Sequence, residues 1–107
     1  MEADMQDDVR KRIDELIQSN PIMLFMKGNK AFPACGFSAQ VVQILKHHNA
    51  EFETFNILSD PEMRNSVKEY SEWPTFPQLY IRGEFVGGCD IVTDLHNSGE
   101  LQKLLAG

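Results

Sequence analysis

The sequence predicts an α/β domain in which a small four-stranded mixed sheet carries helices on both faces. Three observations support this. Ile22-Met23-Leu24-Phe25-Met26 is a short, continuous apolar run, the pattern of a strand buried on both faces. A helical pattern and a second strand follow it, and such a β-α-β unit needs a parallel, right-handed crossover. Two more short runs flank Arg82-Gly83, a two-residue turn, and read as a β-hairpin that adds antiparallel strands. Helical segments fall between and around these strands, so the economical arrangement layers them on both sides of the sheet.

Ahead of the first strand, Met5, Val9, Ile13, Leu16 and Ile17 recur at helical spacing among Asp, Arg and Lys. The spacing predicts an amphipathic helix over about residues 5–19, ended by Asn20-Pro21. Lys27 falls where the strand ends, and Gly28-Asn29-Lys30 opens a loop. From about Gly36 to His48 comes a second helix, with Ala39, Val42 and Leu45 on one face and Val41 and Ile44 beside it. Phe52, Phe55 and Ile57, with Thr54 between them, give the second strand. Asp60-Pro61-Glu62 starts a helix, with Asp60 as the capping side chain and Pro61 at the first helical position. Met63, Val67 and Tyr70 carry that helix to about Ser71. The hairpin strands, Gln78 to Ile81 and Glu84 to Val86, end at Gly87-Gly88. Asp90 is placed to cap a short helix through about His96. Ser98-Gly99-Glu100 separates it from a last turn holding Leu101, Leu104 and Leu105.

A chain of 107 residues is expected to be one domain over residues 1–107, with a single modest core. Ten basic against sixteen acidic residues give a net charge of −6, which argues against nucleic acid or an anionic membrane as a main partner. No apolar run approaches the roughly 20 residues of a membrane span. The acidic start, Met1-Glu2-Ala3-Asp4, lacks the features of a signal or transit segment, so the expected location is cytoplasmic, or an organellar matrix if such a segment was removed. Two cysteines, Cys35 and Cys89, are too few for a secreted disulfide scaffold and suit a reducing compartment.

Chemistry concentrates at Pro33-Ala34-Cys35-Gly36-Phe37-Ser38. Cys35 follows a proline-bearing loop and precedes a helix, where free N–H groups and the positive end of the dipole favour thiolate over thiol. Ser38 stands where a dithiol motif would carry its second cysteine, so any disulfide must reach Cys89, a small thiol or another protein. A buried, inert cysteine is the plainer alternative. Lys27, at a strand end, is either a cation near the thiolate or a solvated lysine. Pro74-Thr75-Phe76-Pro77 presents extended backbone able to pair with a peptide-like ligand, or is simply a turn. Gly87-Gly88-Cys89-Asp90 offers a close-approach backbone followed by a helix N-terminus suited to an anion, or a flexible connection. Arg64 is either a carboxylate clamp or a surface arginine. His47, His48 and His96 show no ligand-like spacing with the cysteines and are assigned no site.

The chain resembles the monothiol glutaredoxins of the Cys-Gly-Phe-Ser class over nearly its whole length. The residues that carry the resemblance are Met26-Lys27-Gly28, Cys35 to Gln40, Trp73 to Tyr80 and Gly87 to Ile91. The resemblance implies a thioredoxin fold, a cis bond before Pro77 and a glutathione groove. In that groove Lys27 and Arg64 would bind the glycine carboxylate, and Phe76 the cysteinyl backbone through its main chain next to Pro77. Gly88, Cys89 and Asp90 would hold the γ-glutamyl end. It further implies a [2Fe–2S] cluster bridging a homodimer, with Cys35 of each subunit and two glutathione thiols as ligands. Four thiolates are the usual complement of such a cluster.

The function expected from these readings is a carrier in iron–sulfur cluster assembly, transfer or iron homeostasis, with apo recipient proteins and a BolA-type protein as the partners the resemblance implies. The alternative is a glutathione-dependent oxidoreductase that removes glutathione from proteins with Cys35 as its single nucleophile.

Overall fold

Helix α1 (Glu2–Ser19) leads into strand β1 (Ile22–Met26), and a loop carries the chain to helix α2 (Gly36–His47). Strand β2 (Glu53–Asn56) passes through a short 3-10 turn (Ile57–Ser59) to helix α3 (Pro61–Ser71). The hairpin of β3 (Gln78–Ile81) and β4 (Glu84–Gly87) follows, then helices α4 (Cys89–Ser98) and α5 (Glu100–Ala106). These elements come from a computed structural model that describes the backbone of residues 2–107 and the side chains of residues 8–107. Met5, assigned by its spacing to the apolar face of α1, lies outside the described side chains.

The sheet order is β2-β1-β3-β4, with β1 parallel to β2 and antiparallel to β3, and β4 antiparallel to β3. Phe25 stands opposite Phe55 across the parallel pair, and Leu24 opposite Leu79 across the antiparallel one. The two central strands are buried at every residue, while β2 and β4 at the edges are only partly covered. That is why Ile22–Met26 reads as an unbroken apolar run and β2 as an interrupted one.

Successive strand side chains point to opposite faces, which divides the core in two. On one face Ile22, Leu24, Met26, Leu79 and Ile81 pack against Val41, Val42, Ile44 and Leu45 of α2, Val92 of α4 and Leu101 of α5. On the other, Met23, Phe25 and Tyr80 meet Ile13 and Ile17 of α1 and Met63 and Val67 of α3. Tyr70 ties the second layer together, its hydroxyl 2.6 Å from Asp14 Oδ1. Among the described residues, no helix is long and apolar enough to cross a membrane.

The local signals translate in most places. Asp60 Oδ1 accepts from the Met63 N–H at 3.1 Å, the expected cap with Pro61 beginning the helix. Arg82 and Gly83 both have positive φ, 48° and 83°, the handedness that a two-residue hairpin turn requires. Three readings change. The second strand ends at Asn56, whose Oδ1 accepts from the N–H groups of Leu58 at 3.0 Å and Gly28 at 2.9 Å and turns the chain. Ile57 is therefore buried from a 3-10 turn rather than from a strand. Asp90 does not cap α4: Gly88 is the N-cap, no side chain bonds the first turn, and Cys89 is the first helical residue. The last turn is a separate helix, divided from α4 by Gly99 at φ 83°.

Candidate functional site

The N-cap of α2 is a cysteine. Cys35 has extended backbone, and its Sγ accepts from the Ser38 N–H at 3.5 Å. Ser38 is fully buried, and its Oγ lies 3.6 Å from the sulfur while accepting from the Lys27 N–H at 3.2 Å. The residue that replaces a second cysteine is thus a strut between the end of β1 and the reactive atom. The preceding loop is pinned in the same way: Ala34 N–H donates to Lys27 O at 2.8 Å, and Gly28 pairs with Pro33 as an isolated bridge.

Burial pushes the Cys35 thiol up, but the N–H and hydroxyl of Ser38, the N–H of Phe37 and the Lys27 charge together outweigh it, so its pKa falls below the ordinary cysteine value. Lys27 is the smallest of these influences. Cys89 moves the other way: burial raises its pKa, a hydrogen bond with Thr93 opposes that, and the charges of Asp90 and Cys35 add to the rise. Both cysteines are free. Of the two, Cys35 is the one shifted toward thiolate.

Replacing Ser38 by alanine removes the hydroxyl donor to that thiolate. We expect the pH midpoint of Cys35 alkylation to rise and the reaction at neutral pH to slow, because only the thiolate reacts. Iodoacetamide rates measured across pH decide the matter; an unchanged midpoint would show that the hydroxyl does not act on the sulfur.

Beside Cys35 runs an open cleft of about 400 Å³. Lys27, Arg64, Phe76, Pro77, Gly88, Cys89 and Asp90 all line it, so every residue assigned to a ligand groove on sequence grounds reaches one surface. Cys35 is not part of the wall but stands close enough to Lys27 and Cys89 for their charges to interact. The Phe76–Pro77 bond is cis. The α4 N-terminus, with no side-chain cap, leaves first-turn N–H groups free for an anion. With Asp90 released from capping, its carboxylate stays exposed on the cleft rim.

Sequence reasoning missed several wall residues. Lys68 lies one helical turn beyond Arg64 on α3, and that i, i+4 spacing was the available signal. Trp73 contributes an indole Nε1 that is buried with no hydrogen-bond partner among the described residues, a donor awaiting an acceptor. Phe37, 64% exposed, reaches the wall from the first turn of α2, and Phe32, 80% exposed, stands on the loop before Cys35. No group of three or more metal-ligating side chains assembles within the chain among the described residues.

The glutaredoxin family profile matches residues 22–86. The chain belongs to the glutaredoxin family. Its monothiol branch is indicated by a monothiol glutaredoxin of Synechocystis sp., 52% identical over 101 residues that span 94% of each chain. Several other relatives are longer, this glutaredoxin spanning between 20% and 58% of their length. Among solved structures, reduced apo GrxS14 of poplar superposes with a TM-score of 0.82 at 55% identity, over 92% of this chain and 90% of that one. The holo form of glutaredoxin C1 from Populus tremula x tremuloides gives 0.85 at 27% identity, covering 94% and 89%. These likenesses agree with the thioredoxin fold expected of the sheet and its flanking helices.

Proposed function

We propose that residues 1–107 form a single glutaredoxin domain that binds glutathione and carries a [2Fe–2S] cluster between two copies of itself, as cargo for cluster assembly or transfer and iron homeostasis. The observation that carries this reading is the single, half-exposed, acidified Cys35 beside a preformed cleft. Four thiolates are the usual complement of such a cluster, and one chain offers a single well-placed one. A second copy and two glutathione thiols would complete the set. The exposed Phe32 and Phe37 flanking Cys35 would be covered by that second copy, sheltering the cluster from water.

The cleft suits glutathione. Lys27 and Arg64, with Lys68, offer positive charge for the glycine carboxylate. The main chain of Phe76, presented just before the cis bond to Pro77, suits the cysteinyl unit. The free N–H groups at Gly88, Cys89 and Asp90, with the Asp90 carboxylate, suit the zwitterionic γ-glutamyl end. Bound there, glutathione supplies an exchangeable thiol, so a cluster held half by small molecules is easily handed on. Recipient apoproteins and a BolA-type protein are the partners this reading calls for. Two free thiols suit a reducing compartment, the cytoplasm or an organellar matrix.

The low Cys35 pKa also favours a second reading, glutathione-dependent thiol–disulfide exchange. The thiolate attacks the glutathione sulfur of a protein–glutathione mixed disulfide, and the protein thiolate leaves. A second glutathione thiolate then attacks the Cys35–glutathione disulfide, releasing oxidised glutathione and regenerating the Cys35 thiolate.

Anaerobic incubation with ferrous iron, sulfide and glutathione separates the two. We expect a coloured dimer that loses both colour and dimer state when glutathione is removed. A colourless monomer under those conditions, with brisk turnover of a glutathione mixed disulfide, would replace the carrier reading by the enzymatic one.

A further inference from the structure

Three histidines remote in sequence meet where the C-terminal ends of α2 and α4 lie together. Their ring centroids are 5.1 to 5.5 Å apart with nearly perpendicular planes. His48 Nε2 and His96 Nδ1 are 2.9 Å apart, a hydrogen bond in which one ring donates and the other accepts. His48 is the C-cap of α2, next to His47, and His96 lies in the last turn of α4. None of the three lines the cleft.

The pairing has a limited proton capacity. Neutral rings form the bond, and so does one imidazolium facing one imidazole. Two imidazoliums put N–H against N–H, with like charges in contact. The surroundings sharpen the limit. His47 adds a basic group from α2, while the Lys46 ammonium is turned to Lys30 O, to which it donates at 3.2 Å. Glu51, in the loop after α2, is the one acidic side chain in the hollow that His48 lines, where α5 contributes Gln102, Leu105 and Ala106. Burial first, then the charges of His96 and His47, holds the His48 pKa below the ordinary histidine value.

The two helices so joined are those that begin at the cysteines: Cys35 caps α2 and Cys89 opens α4. Among the described residues one other side-chain hydrogen bond links them, from Gln40 Nε2 to Thr93 Oγ1 at 2.8 Å.

We propose that the His48–His96 pair is a pH-sensitive latch, holding α4 on α2 while at most one ring is protonated and releasing it when both are. A group whose pKa is depressed on folding contributes stability above its unfolded value, about 6.5 for histidine, and loses it as pH falls through the folded value. The latch therefore opens on the acid side of about pH 6.5.

Amide hydrogen exchange on the full chain tests this at pH 7.5 and about pH 5, corrected for intrinsic rates, with α1 and α3 as internal references. In the wild type, protection of the α4 amides relative to the references should fall on acidification, by at most about tenfold per pH unit between about pH 6.5 and the lower His48 midpoint, and level off below it. In His48→Gln the amide keeps a hydrogen-bonding group toward His96 that does not titrate, so the ratio should stay flat. His96→Gln, on the other helix, should flatten it too and serves if the first variant folds poorly. A constant ratio in the wild type, or an equal fall in the wild type and the variants, overturns the latch.

Discussion

Cys35→Ser is expected to abolish cluster assembly while leaving the fold at least as stable. Serine is among the preferred N-cap residues, and its oxygen accepts from the Ser38 N–H as the sulfur does, so α2 keeps its cap. Its alcohol, however, stays protonated at neutral pH and is a poor ligand for iron–sulfur clusters, which are held by thiolates. Reconstitution followed by visible absorption and sizing should give a colourless monomer whose denaturation midpoint is not lowered. Cys89→Ser is the contrasting case. Its thiol is pushed up in pKa, and it lines the cleft, so colour should survive with weaker glutathione binding. A coloured dimer from Cys35→Ser, or loss of colour confined to Cys89→Ser, would move the ligand from α2 to α4.

The second large effect lies in the backbone that presents Cys35. Gly28 has φ 87°, and a Cβ there would stand 2.6 Å from Ala34 N and closer still to Phe32 O. These backbone atoms cannot swing aside as a side-chain tip can. Gly28→Ala therefore combines a left-handed conformation, disfavoured by roughly 1–2 kcal/mol for a residue with a Cβ, with a displaced loop. We expect a total loss on the order of 2–4 kcal/mol in denaturant unfolding, together with slower alkylation of Cys35 as its hydrogen bonds loosen. Gly36→Ala is the control, because a Cβ there meets nothing within 4 Å. It should change stability by no more than about 0.5 kcal/mol. If the two variants unfold alike, the cramped loop is not what fixes Cys35.

Much of this architecture is legible in the chain because its signals are local. An apolar run marks a covered central strand, Asp60-Pro61 a helix start, and Arg82-Gly83 a hairpin. The site was legible for another reason: Cys35, Lys27 and Cys89 sit at element ends, where a β-α-β arrangement gathers its exposed backbone groups. The cis geometry before Pro77 came from family resemblance, since nothing in its neighbours' composition specifies it. What escaped depends on contacts made at a distance. Asp90 resembles a cap, yet Gly88 takes that place two residues sooner and frees it. Lys68 and Trp73 gain a cleft to face only when α3, the loop before β3 and the start of α4 come together. The histidines become neighbours only once α2 and α4 share a side of the sheet.

The orphaned indole N–H of Trp73 has a practical consequence. This is the chain's one tryptophan, and it sits in the wall of the cleft. Any occupant that brings an acceptor to Nε1 changes the surroundings of every emitting indole in the molecule at once. The protein thus carries its own dye, placed where a visitor would arrive and undiluted by any second indole.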